Sequence, residues 1–153
     1  MKSHLFNDTI IRSYDIRGVY NKTLKDIDAR VIGNIFGLIA GKKSTINVGY
    51  DGRVSSINLK EELIKGLLES GVNVNEIGLG PTPMMYFSCF YTKSKGGIMV
   101  TGSHNPKDHN GFKFVLDNLP FYGEDLKELE KLAKNYSLPK NNGKKKIIDL
   151  SDK

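Results

Sequence analysis

Two places in this sequence hold residue types that can carry out chemistry. The first is Thr101-Gly-Ser-His-Asn-Pro106, where a hydroxyl, an imidazole and a carboxamide stand side by side between a glycine and a proline. Gly102 allows a tight turn, and Pro106 keeps Asn105 out of the helical region. Ser103 beside His104 and Asn105 offers a nucleophile close to a proton carrier and to hydrogen-bond donors. The same residues are also ordinary turn formers, and the residues alone leave both readings open. The second place is Lys113, between Phe112 and Phe114. It is either a snorkelling surface lysine or an ammonium brought back to Ser103 by the returning chain. A serine-hydrolase elbow, Gly-x-Ser-x-Gly, is absent, as are a Walker loop and a Gly-x-Gly-x-x-Gly turn.

Alternating strands and helices must position these groups. Residues 9–20 read as an extended piece with a turn at Gly18, and Thr45 to Tyr50 as a β-branched strand ending at Asp51-Gly52. Val72 to Leu79, Gly97 to Thr101 and Gly111 to Leu116 read as further strands. Helical spacing marks 26–41, 55–70 with Ser55 or Ser56 as its cap, Met84 to Tyr91 after Pro81-Thr82-Pro83, and Glu124 to Lys134. The pattern predicts an α/β fold: a three-layer α/β/α domain around a mixed, mostly parallel sheet of about four strands. The step from Val100 to Phe112 is too short for a helical crossover and predicts an antiparallel hairpin. Ligands of such sheets sit at the carboxyl ends of parallel strands. Two loops leave strands there: Asp51-Gly52-Arg53 and Thr101 to Asn110.

The 153 residues amount to one domain, with 39% hydrophobic and 26% charged residues, which argues against disorder. Cys89 is the one cysteine, so neither a disulfide framework nor a cysteine-rich zinc site is available. Without a membrane-length apolar run or the apolar core of a signal peptide, the expected setting is cytoplasmic. The net charge is +6. Lys140, Lys144, Lys145, Lys146 and Lys153, against Asp149 and Asp152, hold half of that excess in an Asn/Gly/Lys-rich tail read as a solvated linker. No finger spacing or stacking-aromatic motif accompanies the lysines, so neither nucleic acid nor membrane is an expected partner.

Thr101-Gly-Ser-His-Asn-Pro-Lys-Asp-His-Asn-Gly-Phe-Lys113 closely resembles the active-site serine loop of the α-D-phosphohexomutases. Tyr14-Asp-Ile-Arg-Gly18, Val48-Gly-Tyr-Asp-Gly-Arg53 with Ser55, and Pro81-Thr-Pro-Met84 match further motifs of that family in the right order, over about Ile11 to Leu132. The likeness is strongest to the bacterial phosphomannomutase/phosphoglucomutase branch. One departure is His109, where that branch often has tyrosine.

The resemblance implies that residues 1–136 are the N-terminal phosphohexomutase domain and that 137–153 lead toward a second domain. It implies that Ser103 is a phosphoserine exchanging its phosphoryl group with the 1- and 6-positions of a hexose phosphate through a hexose bisphosphate. His104 and Asn105 would flank it, and Lys113 would act on the transferring group. Arg17 would supply charge in the cleft, with Tyr14 lining it or sitting part-buried in the core. Arg53 would act at the site or simply brace the turn after Asp51. A phosphate oxygen on Ser103 would ligate Mg2+, whose other ligands belong to an Asp-x-Asp-x-Asp loop absent from these residues. The expected partners are therefore hexose phosphate and hexose bisphosphate substrates and the remaining domains of the same polypeptide. The rival expectation is a stand-alone, non-catalytic phosphate- or sugar-binding module.

Overall fold

The computed structural model describes residues 1–151. In chain order the elements are β1 (Ile16–Val19), α1 (Asp26–Ala40), β2 (Thr45–Tyr50), α2 (Ser56–Glu69), β3 (Asn73–Leu79), α3 (Thr82–Thr92), β4 (Gly96–Val100), β5 (His109–Leu116), β6 (Leu119–Pro120), α4 (Glu124–Ala133) and β7 (Lys145–Ile147). The sheet order is β1-β5-β4-β2-β3-β7, and β6 also pairs with β5. Strands β4, β2, β3 and β7 run parallel. On the other side, β5 runs antiparallel to β4, β1 and β6. The expected hairpin is therefore present, with Val100 opposite Phe112.

The sheet has seven strands, where the sequence pattern predicted about four. β6 and β7, of two and three residues, are too short for an alternation to register; β1 falls in the stretch read as extended, but Gly18, read as a turn, lies within the strand, paired with Asn110. The lysine tail is the clearest revision. The side chains of Lys145–Ile147 are exposed, as expected, but their backbone pairs with β3 at Val74, Asn75 and Glu76; Asp152 and Lys153 of the tail lie outside the described residues. Lys144 N–H donates to Asn73 Oδ1 at 2.9 Å, and Lys145 Nζ lies 3.2 Å from Glu76 Oε2. An open strand edge offers unpaired main-chain groups to any extended neighbour, and composition carries no sign of that.

Alternation along the strands divides the core between two faces. Ile98 and Val100 of β4, with Phe112 and Phe114 of β5, join the main cluster under α1, α2 and α4. Met99 and Val115 point the other way and pack with Ile77, Met85 and Cys89 under α3. This is the expected three-layer arrangement. Lys113 alternates with Phe112 and Phe114, so it projects from the α3 face.

Candidate active site

The loop from Thr101 to Asp108 joins β4 to β5, beside the turn that leaves β2. Because β2 and β4 are parallel neighbours, Asp51 and Thr101 emerge at the same end of the sheet. Asp51 Oδ2 accepts hydrogen bonds from Thr101 Oγ1 and Gly102 N–H, each at 3.0 Å. Asp51 Oδ1 accepts from Ser56 Oγ at 2.6 Å and Arg53 N–H at 3.1 Å. Burial alone would raise the Asp51 pKa. The bonds from Ser56, Gly102, Arg53 and Thr101 outweigh it and hold the carboxyl below its ordinary value.

Arg53 completes the support. Its Nη1 donates to the carbonyls of Pro106 and His109 at 2.6 and 3.0 Å. Its Nη2 donates to those of Ser103 and Asn105 at 3.0 and 2.8 Å, while Nε lies 3.3 Å from Asp51 Oδ2. One guanidinium thus gathers four backbone carbonyls, a task suited to its planar fork of donors. A side chain at position 102 would collide with that guanidinium, which explains Gly102.

So held, the loop presents Ser103 at an exposed tip with φ +55°. This left-handed conformation costs a residue with a side chain about 1–2 kcal/mol. Ser103 N–H donates to Thr101 Oγ1 at 2.9 Å. Asn105 folds back, its Nδ2 donating to Gly102 O at 2.8 Å. Arg17 Nη1 donates to Asn105 Oδ1 at 3.2 Å, which brings the β1 arginine to the serine loop across 88 residues of chain. His104 is exposed beside Ser103. At the far end, buried Asn110 donates to Ser55 Oγ and Ser56 Oγ at 2.8 and 2.9 Å. The two serines expected to cap α2 therefore serve the loop, and neither makes a side-chain cap. His109, the departure noted above, pairs through Nδ1 with Asp108 at 2.8 Å, which lowers the Asp108 pKa.

Arg17 lies opposite Gly111 in the β1–β5 register, so Arg17 and Lys113 share the α3 face of the sheet. They open into different spaces. Arg17 lines a cleft of about 760 Å³ with Arg12, Tyr14, Asp15 and Lys127. Lys113 lines an aromatic cavity of about 400 Å³ with Tyr14, Tyr86, Phe121 and Tyr122. Tyr14 borders both spaces, is 76% exposed and stacks on Tyr122 at 5.6 Å. The core alternative for Tyr14 therefore fails. Ser103, Asn105 and Arg17 form one connected unit, with Lys113 on the same face of the sheet.

Among the described residues, no three His, Cys, Asp or Glu side chains come together to hold a metal. Sequence reasoning missed Asp51 and Asn110 as organisers of the loop and left Arg53 undecided. Their signal was position: Asp51 and Arg53 follow a strand at the carboxyl end, where α/β sheets build sites.

Residues 8–140 match the family model for phosphoglucomutase/phosphomannomutase, alpha/beta/alpha domain I. The chain is 40% identical over 148 residues to a phosphomannomutase/phosphoglucomutase of Pseudomonas putida, covering 95% of this chain and 32% of that protein. It is 43% identical over 122 residues to a phosphoglucomutase of Neisseria meningitidis serogroup B, covering 78% of this chain and 26% of that protein. Among solved structures, a phosphoglucomutase/phosphomannomutase family protein from Burkholderia thailandensis superposes with a TM-score of 0.87 at 36% identity. That match covers 97% of this chain and 34% of the other. The chain thus spans about a third of the length of the curated relatives it matches.

Proposed function

The chain belongs to the phosphoglucomutase/phosphomannomutase family, and from that premise we propose that it is the N-terminal, phosphoserine-bearing domain of a hexose-phosphate mutase. Residues 1–136 form the body of the domain, and 137–153 lead toward the next one after lending β7 to the edge of the sheet. The observation that carries this reading is the presentation of Ser103: a strained, exposed serine on a loop fixed by Asp51 and Arg53 and joined to Arg17 through Asn105.

Phosphoryl transfer needs positioning and charge neutralisation more than covalent help from the protein. A phosphate on Ser103 carries about −1.5 to −2 charges at neutral pH. Arg17 would neutralise part of that charge through charge-assisted hydrogen bonds. In the forward half-reaction, a hydroxyl of a hexose monophosphate attacks the phosphorus, and the bond to Ser103 Oγ breaks. The sugar becomes a bisphosphate, and the proton lost by its hydroxyl ends on Ser103 Oγ. After the sugar reorients, the other phosphoryl group returns to Ser103 and the steps reverse. His104 and Asn105 flank the reacting oxygen, and Lys113 stabilises charge on the α3 side, where Tyr14 borders the sugar's space. A magnesium ion bound to the phosphoserine would add Lewis-acid charge. Its remaining ligands would come from outside this chain. We assign the protein to the cytoplasm, and none of the described helices is long and apolar enough to cross a membrane.

The test is Ser103→Ala in the full-length protein, with hexose 1-phosphate as substrate and a trace of hexose bisphosphate. Exchange should fall to background, and intact mass should lose the single phosphate present in the parent. Retained turnover would remove Ser103 from the nucleophile's role.

A further inference from the structure

Helix α3 has two apolar faces, of which the sheet covers one. Met85, Ser88 and Cys89 turn inward. On the opposite side, at helical spacing, Tyr86, Phe87, Phe90 and Tyr91 are 46, 43, 79 and 49% exposed. Phe87 stacks on Tyr91 at 5.7 Å, so the surface is already ordered. The helix, Thr82-Pro-Met-Met-Tyr-Phe-Ser-Cys-Phe-Tyr-Thr92, has no charged residue. A helix that is apolar all round belongs inside a larger body. By contrast, α4 keeps Glu124, Lys127, Glu128 and Lys131 toward solvent.

Two observations say what covers this face. The chain spans only 32% of the Pseudomonas putida relative, so proteins of this family carry about twice as much again beyond such a domain. The path of the chain also leads there. After β7, Ile148 and Leu150 pack against Ile77, Met85 and Cys89, the cluster beneath α3. At Leu150 the chain thereby runs along the flank of α3.

We propose that the aromatic face of α3 is the seat of the polypeptide that follows β7 in the full-length protein. Tyr86 belongs both to this face and to the wall of the cavity holding Lys113. Docking on this face therefore reaches the wall of that cavity. The inference rests on reading this chain as one domain of a longer protein, and not on the phosphoryl chemistry proposed above.

Hydroxyl-radical footprinting of the full-length protein, with mass spectrometry and light scattering at two concentrations, tests it. In the monomer, labelling of Phe87, Phe90 and Tyr91 should be lost to the level of the buried Phe36. Phe90→Asp should restore labelling at Phe87 and Tyr91 while leaving Phe36 protected, which separates undocking from misfolding. Labelling in the monomer at the rate of the guanidinium-unfolded protein would overturn the proposal. Protection that appears only as the protein dimerises would overturn it in favour of a second copy. A gene product ending at Lys153 would overturn it outright. Absence of mutase turnover would leave the footprint unaffected, so the two readings fail separately.

Discussion

At the scale of single residues, Asp51 and Arg53 determine what Ser103 can do. Asp51 is acceptor to two side chains and two backbone amides, and its pKa lies below the ordinary carboxylate value of about 3.9. The sign of the pH effect follows. A depressed folded-state pKa contributes stability that is complete above the unfolded value and is lost as pH falls through the folded one. Asp51→Asn should therefore cost about 1–2 kcal/mol at pH 7, and the deficit relative to the parent should shrink below about pH 4. Urea titrations of both proteins at pH 7 and pH 3 would measure it. Glu69 and Glu76 are shifted in the same direction, so part of the acid sensitivity should persist in the variant.

At the scale of the element, the serine loop behaves as one piece because its carbonyls converge on one guanidinium. Lysine keeps the charge but cannot reproduce a planar fork. Arg53→Lys in the full-length protein should lower kcat at least about tenfold, since about 1.4 kcal/mol of lost positioning has that effect. The helices should persist, and KM should change less than kcat. Equal losses after Arg53→Lys and after a remote destabilising substitution would argue for a merely structural role. The strands and helices that hold this loop were legible from periodicity because their apolar residues recur over many positions. Strand β7 was not legible, because its place depends on the edge of β3, distant in sequence, and β6 is only two residues long. Ser55 holds the N-cap position of α2, one of the two alternatives read, yet neither it nor Ser56 makes a side-chain cap, for a related reason. Their hydroxyls found Asn110 and Asp51, partners that local sequence does not show.

At the scale of the molecule, the site is open. Arg17 and Lys113 line separate spaces bordered by Tyr14, and no metal cage forms among the described residues. A purified protein limited to these 153 residues should give no mutase turnover above background with glucose 1-phosphate and magnesium, while the full-length protein turns over. A coupled assay of both at equal concentration makes the comparison. Efficient turnover by the short chain would refute the view that further domains complete the site.

The sequence by itself determined the family, through the resemblance of its ordered motifs, and the fold class, through apolar periodicity. Both signals are local. Only the tertiary structure decided that Arg53 gathers four carbonyls, that Asp51 anchors the loop and that Arg17 reaches Asn105. It also decided that Lys145–Ile147 of the lysine tail form a strand and that α3 shows an aromatic face outward. All but the last of these are pairings between residues far apart in the chain, made when the sheet brings strand ends and edges together. Sequence order does not encode such meetings one by one.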